Sequence, residues 1–307
     1  MFGYTRYNYE RFRREMLEGE SSGRWERAPE PGDTAPDFEL RSLDGETVKL
    51  SSYKGRRNVV ITFGSATCPQ TAASIAGLRG LHREFPAADV AFLFVYVREA
   101  HPGANLPPHR SLGDKASAAM LLRDQEQIDW PILVDELGGE VHRLYGALPN
   151  ASFLVDKSGR IAYRSLASHG PSLAAALEEL LEREKESGVD HAIVCGGEDA
   201  VTPSMKTFLN AYRAIERGGY DAVVNFRGEL GMPGRALLRG GRIARPMVEH
   251  PAITVGVAVG VLAAVGVGLW AGYALRKKRF NNRPYTSWKK LEKRGMSEDE
   301  DYTAMGI

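Results

Sequence analysis

Cys68 has the residue type and the setting for nucleophilic chemistry. It follows an apolar run at 59–63 through Gly64-Ser65-Ala66-Thr67, and it precedes Pro69 and a helical pattern. That order sets the sulfur at a strand-to-helix junction. Pro69 falls in the first helical turn, where a missing N–H costs nothing. Backbone N–H groups and the positive helix end favour the thiolate there, and the thiolate is the nucleophilic form. From position alone, a buried and inert cysteine is the alternative. Thr71 stands where the second cysteine of a Cys-x-x-Cys pair would be, so dithiol chemistry is not expected. The other thiol, Cys195, sits in Val194-Cys195-Gly196-Gly197 and reads as an unpaired cysteine rather than a resolving one.

Placing such a sulfur requires a sheet and a helix that meet beside it. Strand-like runs at 59–63, 90–97, 132–134 and 152–155 alternate with helical patterns at about 70–84, 114–125 and 171–186. Asp156-Lys157-Ser158-Gly159 reads as a hairpin turn into Arg160-Ile161-Ala162-Tyr163. Strands alternating with helices predict an α/β fold, a central mixed sheet flanked by helices. The organisation read from the sequence is a partly disordered lead over 1–30, an α/β domain over 31–188 and a juxtamembrane connector over 189–250 with one short helix. A transmembrane helix over 251–275 and a charged tail over 276–307 follow.

Composition narrows the function. The 307 residues carry 40 basic and 39 acidic side chains, a formal net charge of +1, so no nucleic-acid partner is expected. The seven histidines and two cysteines show no close ligand spacing, so no metal is expected. No glycine-rich loop with a lysine in place precedes a helix. Residues 252–275 are 24 in number without a charge. At about 1.5 Å per residue they reach across a bilayer core of about 30 Å. Arg276, Lys277, Lys278 and Arg279 follow at once, and Trp270 and Tyr273 sit at that end, where such rings prefer the interface. Gly256, Gly260, Ala264, Gly268 and Gly272 form a small-residue stripe that permits a homodimer through this helix. The first residues show no signal peptide, and a lone reactive thiol suits a reducing compartment, so the α/β domain is expected on the cytoplasmic side. The basic tail argues for the cytoplasm on its own account, and the two indications conflict.

Longer stretches carry a family resemblance. The segments 31–40, 43–50, Tyr53-Lys54-Gly55 and 59–63 together resemble the opening of the redoxin branch of the thioredoxin superfamily. Phe63-Gly64-Ser65-Ala66-Thr67-Cys68-Pro69 resembles the active-site motif of iodothyronine deiodinases, in which the position of Cys68 is selenocysteine or cysteine. Phe94-Val95-Tyr96-Val97-Arg98-Glu99-Ala100-His101-Pro102, His109-Arg110-Ser111-Leu112-Gly113-Asp114-Lys115 and Tyr145-Gly146-Ala147-Leu148-Pro149 are similar to further segments of that family, in the same order. The resemblance covers about 31–186. It implies a thioredoxin-like fold and reductive dehalogenation of an aromatic halide. Cys68 would be the nucleophile and pass through a sulfenyl halide. No bound cofactor is implied, only an external thiol reductant of the glutathione or thioredoxin type. His101 and His109 would position a phenolic ring and move protons, for which an ordinary pKa of about 6.5 is suited. Glu99 would orient His101, or stand as a plain strand-end carboxylate. Ser65, Thr67 and the nearby N–H groups would hold the thiolate or polarise an oxygen, or merely cap the turn. Pro149 would support the site from the segment before a core strand. The family's anchor usually precedes the domain, and here the apolar run follows it.

Two other readings stay open. Ser65, three residues before Cys68, partly fits a peroxiredoxin motif for hydroperoxide reduction, although Ile61 stands where its proline belongs. A membrane-tethered interaction module with a chemically idle redoxin fold is the second.

Overall fold

The computed structural model describes residues 7–14, 16, 25–85, 87, 89–187, 194 and 205–249. Among them seven strands form one sheet: β1 (Glu39–Ser42), β2 (Thr47–Lys49), β3 (Asn58–Gly64), β4 (Val90–Tyr96), β5 (Ile132–Val134), β6 (Ser152–Val155) and β7 (Ile161–Ser165). Their order is β2-β1-β5-β4-β3-β6-β7. The three central strands β3, β4 and β5 are parallel, and each outer strand pairs antiparallel with its neighbour. The helices are α1 (Pro69–Glu84), α2 (Leu112–Glu126), α3 (Glu140–Leu144), α4 (Gly170–Ser187), α5 (Met205–Arg217) and α6 (Tyr220–Glu249). The last is two helices meeting at a kink at Gly231. This is the thioredoxin-like α/β arrangement expected of the sequence.

The burial pattern explains why the strand signals were continuous apolar runs. Every residue of β3 and β4 is buried, because both faces of the sheet are covered. Side chains alternate between faces. Val60, Phe92, Phe94 and Tyr96 pack with Ile75 and Leu78 of α1, Leu122 of α2 and Leu177 of α4. Val59, Ile61, Phe63, Leu93 and Val95 pack on the opposite side with Phe38, Tyr145 and Phe153. The alternation leaves Tyr96 at the end of β4 on the α1 side, with its hydroxyl close to the turn that leads into that helix.

Two segments differ from expectation. In the lead, Tyr7, Phe12 and Trp25 are buried rather than loose. Tyr7 donates to, or accepts from, His142 Nδ1 at 2.7 Å, and the Tyr9 hydroxyl donates to Ala100 O at 2.8 Å. The connector is likewise folded. α5 packs on α1, and α6 packs on α5. Phe12, Ile215, Ala222, Val223, Phe226 and Leu238 form a third apolar cluster. Glycines that read as connector punctuation serve close packing: a Cβ on Gly240 would stand 2.4 Å from Phe208 Cζ. The run 251–275 expected to span a membrane, the tail 276–307 and Cys195 lie outside the described residues. Among the described residues no helix is long and apolar enough to cross a membrane.

Candidate active site

Cys68 is the N-cap of α1, with extended backbone (φ −85°, ψ 119°) and Pro69 opening the helix. Its N–H donates to Ser65 O at 3.3 Å, and its carbonyl accepts from Ala72 N at 3.1 Å. The side chain is only 3% exposed. Here the structure corrects the sequence-based expectation of a lowered thiol pKa. Burial pushes the Cys68 thiol up. The Thr71 hydroxyl, then the N–H groups of Thr71 and Gln70, act the other way, and the Glu99 charge adds to the rise. The helix end is present, but desolvation outweighs it.

Gly64 sets the spacing of this turn. A Cβ there would lie 2.6 Å from Thr71 Oγ1 and 2.5 Å from Phe94 Cζ. Thr71 Oγ1 in turn accepts from Ser65 N at 3.4 Å. Gly64→Ala is therefore expected to displace Thr71, destabilise the fold by about 1–3 kcal/mol, and slow alkylation of Cys68 at neutral pH. Urea unfolding and a timed iodoacetamide reaction would check both effects, and native values in the two would refute them.

The centre of the cluster is Glu99, buried just beyond β4. Its Oε2 accepts from Thr67 N at 3.0 Å and from Thr67 Oγ1 at 2.6 Å. Its Oε1 accepts from the Tyr96 hydroxyl, which itself accepts from Ala66 N at 3.1 Å. His109 Nε2 stands 3.4 Å from Glu99 Oε1. Neither ring nitrogen of His109 is hydrogen-bonded among the described residues, so the approach is an ion-pair distance rather than an aligned bond. Burial works to raise the Glu99 pKa. Interactions with His109, then the hydrogen bonds from Thr67 and Tyr96, outweigh it and hold the carboxyl below its usual range. Burial and the Glu99 charge together push the Tyr96 hydroxyl well up, so it remains a neutral donor.

His101 joins the cluster through its backbone, its N–H donating to Thr67 Oγ1 at 3.0 Å. The ring lies between Phe12, at 4.5 Å between centroids, and Phe226, at 5.1 Å. Burial in this apolar slot pushes its pKa down to about 3, with Glu99 opposing. The expectation of titration near neutrality is thus corrected: the imidazole is neutral, and its Nδ1 is buried without a hydrogen bond. Ser65 Oγ accepts from Ala100 N at 3.2 Å, which ties the cysteine turn to the histidine loop. Pro149 is exposed in the turn before β6. Its neighbour Asn150 reaches the site's base instead, donating to Phe63 O at 3.1 Å. The structure therefore gathers Cys68, Ser65, Thr67, Glu99, His101 and His109, and leaves Pro149 outside. Glu99 does not orient the His101 ring directly.

Sequence reasoning missed Tyr96, Thr71, Phe12, Phe226 and Arg217. Tyr96 carried a signal, a polar tip ending an apolar strand that runs towards the cysteine turn. Thr71 carried another, one helical turn after Cys68. Among the described residues no group of three or more His, Cys, Asp or Glu could hold a metal ion.

A family model described as iodothyronine deiodinase matches residues 14–184, more than half of the chain. The chain belongs to the iodothyronine deiodinase family. It is 34% identical over 128 residues to a thyroxine 5-deiodinase of Gallus gallus, covering 38% of this chain and 48% of that protein. It is 31% identical over 168 residues to a thyroxine 5-deiodinase of Ovis aries, covering 50% and 56% respectively. It thus spans about half the length of these relatives. Among solved structures it is similar to the thioredoxin domain of a thiol-disulfide oxidoreductase from Bacteroides vulgatus, at 19% identity and a TM-score of 0.40, covering 50% of this chain and 98% of that one. The whole Cys68–Glu99–His109 cluster falls inside the deiodinase-matched stretch, whereas α5 and α6 follow it.

Proposed function

We propose that this deiodinase-family chain is an oxidoreductase that removes iodine reductively from an aromatic iodide of the iodothyronine type, with Cys68 as nucleophile. The observation that carries the reading is the buried Cys68 at the start of α1, directly after Thr67, whose N–H and hydroxyl are bound by a Glu99 that also holds Tyr96 and stands 3.4 Å from His109. Sulfur takes the iodine as the C–I bond breaks, and the ring carbon takes the hydrogen that began on the thiol. Aryl iodide and thiol thus become arene and sulfenyl iodide. A first external thiol displaces iodide, giving a mixed disulfide and HI. A second releases Cys68 and leaves as the symmetrical disulfide. Two thiols are oxidised for each C–I bond reduced. In this reading Thr71 and the N–H groups of α1 support the thiolate, the Tyr96–Glu99–His109 group handles the proton, and neutral His101 with Phe12 and Phe226 receives a ring.

The reading includes anchorage through 251–275, with the α/β domain on the cytoplasmic side and a homodimer through the glycine stripe. The support for anchorage is the uncharged length of that run and the basic residues that stop it; the support for the cytoplasmic side is a lone reactive thiol, which suits a reducing compartment. The test is turnover of the full chain on three substrates with dithiothreitol: an iodinated diphenyl ether, a hydroperoxide and a disulfide. Iodide release supports the proposal. Turnover of the hydroperoxide alone would replace it with a peroxidase, and silence on all three with an interaction module.

A further inference from the structure

We propose that Arg217, which lies beyond the family-matched stretch, is a positioning residue that clamps the Ala66–Thr67 peptide of the cysteine turn. The proposal rests on the reading of Cys68 as the nucleophile. The Ala66 carbonyl and the Thr67 N–H are the two ends of one planar peptide unit and point in opposite directions. Arg217 Nη1 donates to Ala66 O at 3.0 Å. Glu99 Oε2 accepts from Thr67 N at 3.0 Å. A cation therefore sits on the negative end of this peptide dipole and a carboxylate on its positive end. Turning the peptide over would aim its carbonyl at the carboxylate and its N–H at the guanidinium. The orientation that hands Thr67 to Glu99 and His101 is fixed from both sides.

Arg217 is itself firmly held. Its side chain is 6% exposed and pairs with Glu126 at the end of α2, which also pairs with Arg213 at 2.8 Å. A buried guanidinium needs such a counter-charge. Just beyond Arg217 the chain is pinned to the histidine loop: Asn105 N donates to Gly218 O at 2.9 Å, and Ala104 N to Asp221 Oδ1 at 2.9 Å. One helix end thus touches both the cysteine turn and the loop that carries His101. The planar fork of arginine reaches Ala66 O and Glu126 together, which a lysine ammonium cannot reproduce at one site.

The test uses the full chain with Arg217→Met, Arg217→Lys and Glu126→Gln. The first readout is the pH profile of Cys68 alkylation by iodoacetamide, followed on the Cys68 peptide by mass spectrometry so that Cys195 does not contribute. The second is iodide release from an iodinated diphenyl ether. Arg217→Met is expected to move the alkylation midpoint to higher pH, because the turn that sets the sulfur at the start of α1 is no longer held from the Ala66 side, and to lower turnover about tenfold or more, as for a lost charge-assisted hydrogen bond. Arg217→Lys should restore the midpoint in part and leave turnover depressed. Glu126→Gln should shift both in the direction of Arg217→Met, and it decides the matter if Arg217→Met does not fold. A native midpoint and native turnover in a folded Arg217→Met protein would overturn the proposal. If the wild-type chain releases no iodide, the dehalogenation reading fails, while the alkylation midpoints still judge the clamp.

Discussion

Cys68→Ser is expected to abolish iodide release, to below about one-thousandth of the native rate, since removal of a nucleophile costs up to about a millionfold in enzymes that depend on one. A serine fits the same N-cap position without strain, so the fold should survive, and thermal melting would confirm it. The hydroxyl loses because it ionises far less readily and cannot hold iodine as sulfur does. The pH dependence of the native chain sharpens the prediction. Burial raises the Cys68 pKa, so the thiol is mostly protonated at neutral pH. Raising the pH fills the thiolate, and both alkylation and turnover should climb through the ordinary thiol range of about 8.5 before levelling off above it. His101, pushed down to about 3, adds no step near neutrality. Thr71→Val removes the largest influence opposing burial and should shift the climb to higher pH still. A Cys68→Ser protein that releases iodide at the native rate would remove Cys68 from the mechanism.

What was legible in the sequence follows from the range over which each residue's role is set. Cys68 was placed correctly because its position depends on adjacent residues: a seven-residue strand, a four-residue turn and a proline-led helix. Glu99 and both histidines could be named as candidates because they occur in short segments that resemble family motifs. Their partners could not be assigned, because those are tertiary. Glu99 looked like an orienter of His101, two residues away, yet its carboxylate turns back across 32 residues to Thr67. The thiol pKa was misjudged for a related reason: a helix N-terminus is a local feature, whereas full burial is the work of the whole fold. The helix α5 answers to the one short helix expected of the connector, but α6 was hidden because glycine and arginine dominate residues 228–245, and a packed helix that relies on glycine for close approach shows little apolar periodicity. Arg217 followed from none of these patterns, since its partners Ala66 and Glu126 lie 151 and 91 residues away.

Glu99→Gln is expected to move two measurements in opposite directions, and this separates proton handling from simple support. The carboxylate accepts from the Thr67 N–H, the Thr67 hydroxyl and the Tyr96 hydroxyl, and it faces His109 at 3.4 Å. A glutamine keeps the shape, but its NH₂ must point at one of these donors. The misfit should cost about 1–3 kcal/mol of stability, leaving a folded protein. The Glu99 charge helps to keep the Cys68 pKa high. Its removal should lower that pKa, enlarge the thiolate fraction and make alkylation faster at neutral pH. Turnover should nevertheless fall by about 10²–10⁴-fold, the range for loss of a group that moves protons. The fall should lie in kcat rather than KM, because Glu99 is buried behind Thr67 and touches no substrate in this reading. Faster alkylation with slower turnover means that Glu99 acts on the proton, since the nucleophile is then more available and the reaction still stalls. If alkylation and turnover fell together in a protein of near-native stability, Glu99 would serve only to hold the turn.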